Sequence, residues 1–130
     1  MNMVLQDIAL IVAAVIGSVV AVIHGVITQR RMVHPVEEYF RADERVGVVI
    51  RRLVPLMLHY STICWFLGGF ALIAAAIWFG QEARFATGLF VGFLYLSGAL
   101  MAFWATRGRH PVWIPYAVAI ILIGFGITNV

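Results

Sequence analysis

Two histidines lie in apolar stretches of this sequence, each a short distance from a pair of arginines. His24 lies six residues before Arg30, and His59 lies seven residues after Arg52. At a helical rise of about 1.5 Å per residue, each imidazole is about 9–10 Å inward from its arginine. Ionisable side chains inside a membrane are costly and usually face the protein or a cavity. The spacing therefore predicts that His24 and His59 lie at matching depth on two consecutive helices.

Several kinds of chemistry are compatible with this histidine pair. Imidazole is a common ligand of haem iron, zinc and copper, so His24 and His59 are candidate ligands of a haem or a transition metal. The same pair would suit a substrate site or a proton-handling site. Hydrogen bonding between helices is the interpretation that we favour, and the sequence leaves the identity of any cofactor open.

The arginines form a second candidate site on the same side of the chain. All nine basic residues are arginine, and only Arg84 falls on the opposite side. Guanidinium groups suit phosphate and carboxylate, so this set is a candidate site for an anionic ligand or a lipid headgroup. Arginine-rich loops of membrane proteins tend to stay in the cytoplasm, and this tendency would explain the position of these arginines without any ligand. The candidates are Arg30, Arg31, Arg51, Arg52, Arg107 and Arg109.

Patterns typical of catalysis are missing from the sequence. Cys64 is the single cysteine, so neither a disulfide nor a cysteine-based metal motif can form within the chain. The sequence contains no P-loop, no GxGxxG and no HExxH pattern. We therefore expect a protein without an enzymatic activity of its own.

Long uncharged runs must position these residues. The chain is 63% hydrophobic and only 12% charged, with a mean hydropathy of +0.99, whereas soluble domains are about half apolar and a quarter charged. A bilayer core of about 30 Å requires roughly 20 apolar residues per helix. The prediction is an all-α polytopic membrane protein, an antiparallel bundle of four transmembrane helices in one domain covering 1–130. The predicted spans are about 5–29, 53–80, 85–106 and 111–129.

The connection over 30–52 is expected to hold a short helix on the membrane surface. Pro35 suits the first turn of a helix, and Val36, Tyr39 and Phe40 fall on one side of it. Because this connection and the loop between the last two spans carry nearly all the arginines, both should be cytoplasmic. The expected location is a bacterial inner membrane, with both termini outside. Arginines that flank helices in this way do not indicate nucleic-acid binding.

Small residues at helical spacing predict where the helices pack. Small side chains allow close approach of helices where no water drives association. The first span carries such a stripe, and the third contains a GxxxG pattern. The predicted packing residues are Ala14, Gly17, Ala21, Gly88 and Gly92.

Three functions are compatible with these features. The favoured one is a small non-enzymatic membrane subunit, either an oligomer of itself or an accessory part of a larger membrane complex. The second is a haem- or metal-binding redox protein that uses His24 and His59. The third is a small transporter or channel with a basic cytoplasmic vestibule.

Overall fold

The fold is all-helical over the described part of the chain. The computed structural model describes residues 4–128, and short connections separate its helices. A π-helical segment, Gln29–Val33, joins the first helix to the second. The helices are α1 (Leu5–Thr28), α2 (His34–Ala42), α3 (Val48–Ile77), α4 (Gln81–Thr106) and α5 (Trp113–Ile127).

The four longer helices pack in a closed ring. Helix α1 contacts α3 and α5, and α4 also contacts α3 and α5. Neighbouring helices are antiparallel. We call the end that carries the α1–α3 connection and residues 107–112 the basic end. The end that carries the turn at 78–80, the start of α1 and the end of α5 is the turn end.

Within residues 4–128, three helical stretches are long and apolar enough to cross a membrane. They are Leu5–Ala42, Val48–Ile77 and Gln81–Thr106. Large apolar side chains such as Phe93, Met101 and Ile121 are exposed on the outside of the bundle, which is typical of a surface covered by lipid rather than water. These features indicate an integral membrane protein.

Helix α5 is shorter than the predicted fourth span. It covers Trp113–Ile127, which is 15 residues and rises only about 22 Å. Thr128 has left the helix with an extended backbone, and residue 129 of the predicted span lies outside the described residues. Span 111–129 therefore remains a prediction from the sequence.

Helix α2 does not begin as a separate element. The backbone stays in the right-handed helical region through Thr28, Val33 and His34, so α1 continues through the π-helical segment into α2. Proline inside a helix removes a hydrogen bond and collides with the carbonyl four residues earlier. Ahead of Pro35, the amide of His34 instead donates to the carbonyl of Gln29, five residues back. The wider π turn accommodates the proline ring, and the helix persists to Ala42.

Helices α3 and α4 begin earlier than the spans predicted from the uncharged runs. Helix α3 begins at Val48, ahead of the predicted 53, and α4 begins at Gln81, ahead of 85. Arginine is a good helix former, so the charges that end an uncharged run do not end the helix. The arginine pair before the second span thus lies within the first turns of α3.

Tyr95 of α4 fills the centre of the bundle. Its side chain is fully buried and packs against Gly17 of α1, Gly68 of α3 and Tyr116 of α5. A Cβ at Gly17 would overlap the Tyr95 ring. Glycine at this position of α1 therefore makes room for an aromatic ring from the helix diagonally opposite.

The remaining predicted packing residues lie at helix contacts to different degrees. Ala14 and Ala21 are fully buried on α1. Gly88 of α4 lies against Ile127 of α5, where a Cβ would overlap the isoleucine. Gly92 is only half-buried, and a Cβ there would make an ordinary contact of 3.7 Å with Ile123.

Candidate functional site: a cavity at the basic end of the bundle

His24 lies where α1 meets α3. Its Nε2 is 3.3 Å from the hydroxyl of Thr28 and 3.4 Å from the hydroxyl of Ser61. Its ring also meets the Trp65 indole edge to face, with centroids 4.7 Å apart. Contacts to two hydroxyl groups and one indole fix the orientation of the imidazole.

His59 belongs to the same helix interface but has a different partner. Its Nε2 is 2.8 Å from Oε1 of Gln29, at the first residue of the π-helical segment. The two histidines thus connect α3 to successive parts of the α1 stretch. Within residues 4–128, no three His, Cys, Asp or Glu side chains form a group that could hold a metal ion.

The candidate arginines divide into one that is held internally and five that are exposed. Arg51 donates through Nη2 to the carbonyl of Asp43 (3.0 Å) and through Nε to the carbonyl of Val46 (2.8 Å). These bonds close the connection between α2 and α3, so Arg51 has a structural partner. The exposed members are Arg30, Arg31, Arg52, Arg107 and Arg109.

One of the five exposed arginines also has a conformational role. Arg107 follows α4 with a positive φ of 51°, and Gly108 continues at 73°. The amide of Gly108 donates to the carbonyl of Phe103 (2.9 Å), which closes the end of the helix. The arginine-glycine pair therefore turns the chain toward α5.

A cavity of about 490 Å³ lies beside His24, and we call it the basic-end cavity. Its volume is within the range of small-molecule sites, about 300–1,000 Å³. The lining reaches the exterior at Tyr60 of α3 and Met101 of α4, both of which are 69% exposed. The cavity is therefore open to the outside of the bundle between α3 and α4. The lining residues are His24, Met32, Tyr60, Ser61, Cys64, Trp65, Leu94, Ser97, Gly98, Met101, Ala102, Ala105, Val112 and Tyr116.

A series of ring contacts crosses the bundle at the deep side of the cavity. The Trp65 ring of α3 lies between His24 of α1 and Tyr116 of α5, with the Tyr116 centroid 5.1 Å away. Tyr116 in turn packs against Tyr95 of α4 at 5.2 Å. The hydroxyl of Tyr95 donates to the backbone carbonyl of Trp65 (3.3 Å). Each of the four helices of the ring contributes one aromatic side chain, which gives the deep wall a rigid support.

Tyr116 carries a polar atom without a partner. Its side chain is 1% exposed, and its buried hydroxyl makes no hydrogen bond within residues 4–128. Leaving a buried polar group unpaired costs about 1–3 kcal/mol. Although Tyr116 lines the cavity, its hydroxyl has almost no accessible surface, so it is covered by protein and does not open into the cavity.

Only one of the two predicted histidines lies at the cavity. His24 lines the basic-end cavity, whereas His59 does not. Trp65 and Tyr116 were not among the predicted site residues, since aromatic residues are common throughout apolar helices. For Trp65 the available signal was its position near the middle of α3, because membrane aromatics otherwise concentrate at the interfaces. Tyr116 is the fourth residue of α5 and had no such signal.

A second cluster that the sequence did not predict ties the turn end together. Arg84 of α4 donates through Nη1 to Oδ1 of Asp7 on α1 (2.5 Å) and through Nε to the carbonyl of Gly126 on α5 (3.2 Å). Gln6 donates to the carbonyl of Thr128 nearby (3.1 Å). The sequence did contain a signal for this pair. Arg84 is the one arginine on its side of the predicted membrane, and Asp7 lies on the same side, near the start of the first span.

No protein-family model, curated protein or solved structure matches this chain. The basic-end cavity is therefore the feature from which a function can be inferred.

Proposed function

We propose that this chain is a four-span membrane protein that binds a lipid-soluble small molecule in the basic-end cavity. The observation that carries the proposal is a mainly apolar cavity of about 490 Å³, walled by the bundle helices, with the imidazole of His24 and the hydroxyl-bearing residues Ser61 and Ser97 in its lining. Binding pockets of this kind are mainly apolar, with a few polar groups that set the orientation of the ligand.

The opening between α3 and α4 supports entry from the bilayer. Tyr60 and Met101 at this opening lie within the apolar stretches of their helices, where lipid would surround them. A molecule dissolved in the hydrocarbon region would reach the cavity without crossing water. This route favours ligands with high membrane solubility over soluble metabolites.

We further propose that all four long helices span the membrane, with the basic end in the cytoplasm. Helix α5 contacts both α1 and α4, which supports its insertion as a fourth span despite its length. A short span is accommodated by local thinning of the bilayer at modest cost. The arginines at the basic end favour a cytoplasmic location for that end in a bacterial inner membrane, and α2 would extend the first span into the interface.

A binding role in a larger membrane assembly is favoured over catalysis. The described lining of the cavity contains one histidine and no carboxylate, so it lacks the paired acid and base of most hydrolytic or transfer sites. We propose that the chain acts as an oligomeric or accessory subunit that holds a lipophilic molecule for a protein in the same membrane.

Protection of Cys64 from alkylation tests the proposed binding. Cys64 lines the cavity and is the only cysteine in the chain, so the unmodified protein in lipid nanodiscs carries a single reporter. Three lipophilic probes are added in turn: a fully substituted decyl benzoquinone, dodecanol and palmitic acid. At least one of them should slow the labelling of Cys64 by a lipophilic maleimide.

A matched control distinguishes binding of a probe in the cavity from a general dilution of the maleimide by the probe in the membrane. Leu67 is on the same helix, is 59% exposed and does not line the cavity. In a C64S background, the thiol of L67C should be labelled at a rate that the probes do not change. Equal slowing at both positions, or slowing at neither, would contradict the proposed function.

A further inference from the structure

One face of α4 lines the basic-end cavity from the middle of the helix to its end. The lining positions recur at the three- and four-residue spacing of a single helical face. Between the first and the last of them the helix rises about 16 Å, so the cavity is elongated along the axis of the bundle. The lining residues on this helix are Leu94, Ser97, Gly98, Met101, Ala102 and Ala105.

The length of the cavity corresponds to one leaflet of a bilayer. The hydrocarbon core is about 30 Å thick, so each leaflet contributes about 15 Å. Leu94 lies at the middle of α4, and Ala105 is one residue before the end of that helix. The cavity therefore extends from the middle of the membrane to the basic end. Its side opening at Tyr60 and Met101 faces the same leaflet.

The shallow end of the cavity is bordered by two arginines. Met32 lines the cavity directly after Arg31, and Ala105 lines it two residues before Arg107. Ala105 and Arg107 also share a pocket on the outside of the bundle, which places the Arg107 side chain beside the mouth. Both arginines are exposed, and neither forms an ion pair within residues 4–128. Guanidinium groups bind phosphate and carboxylate through paired hydrogen bonds.

Resting on the proposed function, we propose that the cavity binds an anionic amphiphile from the leaflet at the basic end. The carboxylate or phosphate head of this ligand lies at the mouth, between Arg31 and Arg107. Its alkyl chain extends along α4 past Met101 to Leu94. The molecule already has this orientation in the surrounding leaflet, so it enters between α3 and α4 without turning over.

The size of the expected effect follows from the two exposed arginines. An ion pair at an exposed site contributes about threefold to affinity, so two of them contribute about tenfold. Arg31→Gln and Arg107→Asn together remove both charges, and asparagine tolerates the positive φ of 51° at position 107. The matched control is Arg41→Gln with Arg45→Gln, which removes the same charge. Neither of these positions is next to a residue that lines the cavity.

The test compares tetradecyl phosphate with tetradecanol in the Cys64 protection assay. The two probes have the same chain and differ in the charge of the head. The nanodiscs contain zwitterionic lipid, the maleimide is uncharged, and probe concentrations are mole fractions in the membrane. We expect the phosphate to protect Cys64 at about tenfold lower mole fraction than the alcohol. Inorganic phosphate should not protect it, because the ion has no chain to reach Cys64.

The variants assign this difference to the mouth of the cavity. In R31Q/R107N the phosphate should protect no better than the alcohol, whereas R41Q/R45Q should retain the tenfold difference. The thiol of L67C in the C64S background shows whether the charge of the probe changes the reagent in the membrane as a whole. It should be labelled at the same rate with either probe.

The contrary outcomes separate this inference from the proposed function. Equal protection by phosphate and alcohol would overturn the anionic head while leaving a lipophilic site in place. A phosphate advantage that survives in R31Q/R107N, or loss of protection by both probes in that variant, would overturn the assignment of the head to these arginines. Protection by inorganic phosphate would overturn the placement of the chain. Absence of protection by every probe, including those used to test the proposed function, would overturn both proposals together.

Discussion

Replacing Asp7 with asparagine should destabilise the bundle from its turn end. The Asp7 and Arg84 side chains are 16% and 19% exposed, and their ion pair joins the starts of α1 and α4. Arg84 also bonds to the carbonyl of Gly126, and its Nη2 is buried without a partner among the described residues. Loss of the carboxylate would leave a guanidinium group that is already incompletely paired and has little access to water.

The expected loss of stability on replacing Asp7 lies between the values for buried ion pairs and for exposed ion pairs. Breaking a buried pair by removing one partner costs about 3–5 kcal/mol, whereas exposed pairs contribute about 0–1 kcal/mol. With less than a fifth of each side chain exposed, we expect Asp7→Asn to lower the free energy of unfolding by about 2 kcal/mol.

Reversible unfolding in mixed micelles of mild detergent and dodecyl sulfate measures this effect. A double-mutant cycle with Asp7→Asn and Arg84→Gln should give a coupling energy of about 1 kcal/mol or more, because the double variant leaves no unpaired charge. Glu82→Gln is the matched control, since Glu82 is exposed on the first turn of α4. A cost for Asp7→Asn no larger than that of the control, or strictly additive effects, would refute the proposed role of the ion pair.

Three further predictions concern the packing and the topology. Gly17→Ala should lower the free energy of unfolding by about 2 kcal/mol, because the added Cβ would overlap the Tyr95 ring. The same unfolding assay measures this loss, and a loss below about 0.5 kcal/mol would contradict the central position of that ring. Gly98→Ala should displace Trp65 and weaken probe binding in the Cys64 protection assay severalfold, and unchanged binding would place the ligand elsewhere. In a cysteine-free background, an impermeant thiol reagent should label a cysteine at Gly80 from outside the cell but not one in the α1–α3 connection; labelling of both from the same side would contradict the proposed topology.

The helical class followed from the sequence because long uncharged runs have few alternatives in a bilayer. The helix limits did not follow as closely, since arginines mark where a membrane ends rather than where a helix ends. Thus α3 begins at Val48, ahead of its arginine pair. The continuity of α1 with α2 was also missed, because Pro35 is typical of a helix start, and the compensating π-helical segment has no clear sequence pattern.

The site was less predictable because it depends on contacts across the bundle. Spacing along one helix placed Gly17 in a packing stripe, but it could not show that the partner is Tyr95 from the diagonal helix. The spacing of each histidine from its arginine pair predicted that His24 and His59 lie at similar depth. Only the structure shows that the two histidines have different hydrogen-bond partners. The unpaired hydroxyl of Tyr116 is a property of three-dimensional packing and has no signature in the sequence.

Photo-crosslinking in intact membranes tests the central proposal, binding in the basic-end cavity, most directly. The probe is a long-chain alcohol with a diazirine group in its chain, and mass spectrometry maps the adducts. We predict saturable labelling confined to 60–65 of α3, 94–105 of α4 and the start of α5, with competition by the unlabelled alcohol. Labelling that does not saturate and spreads over outward-facing side chains such as Phe93 and Ile121 would contradict the proposal.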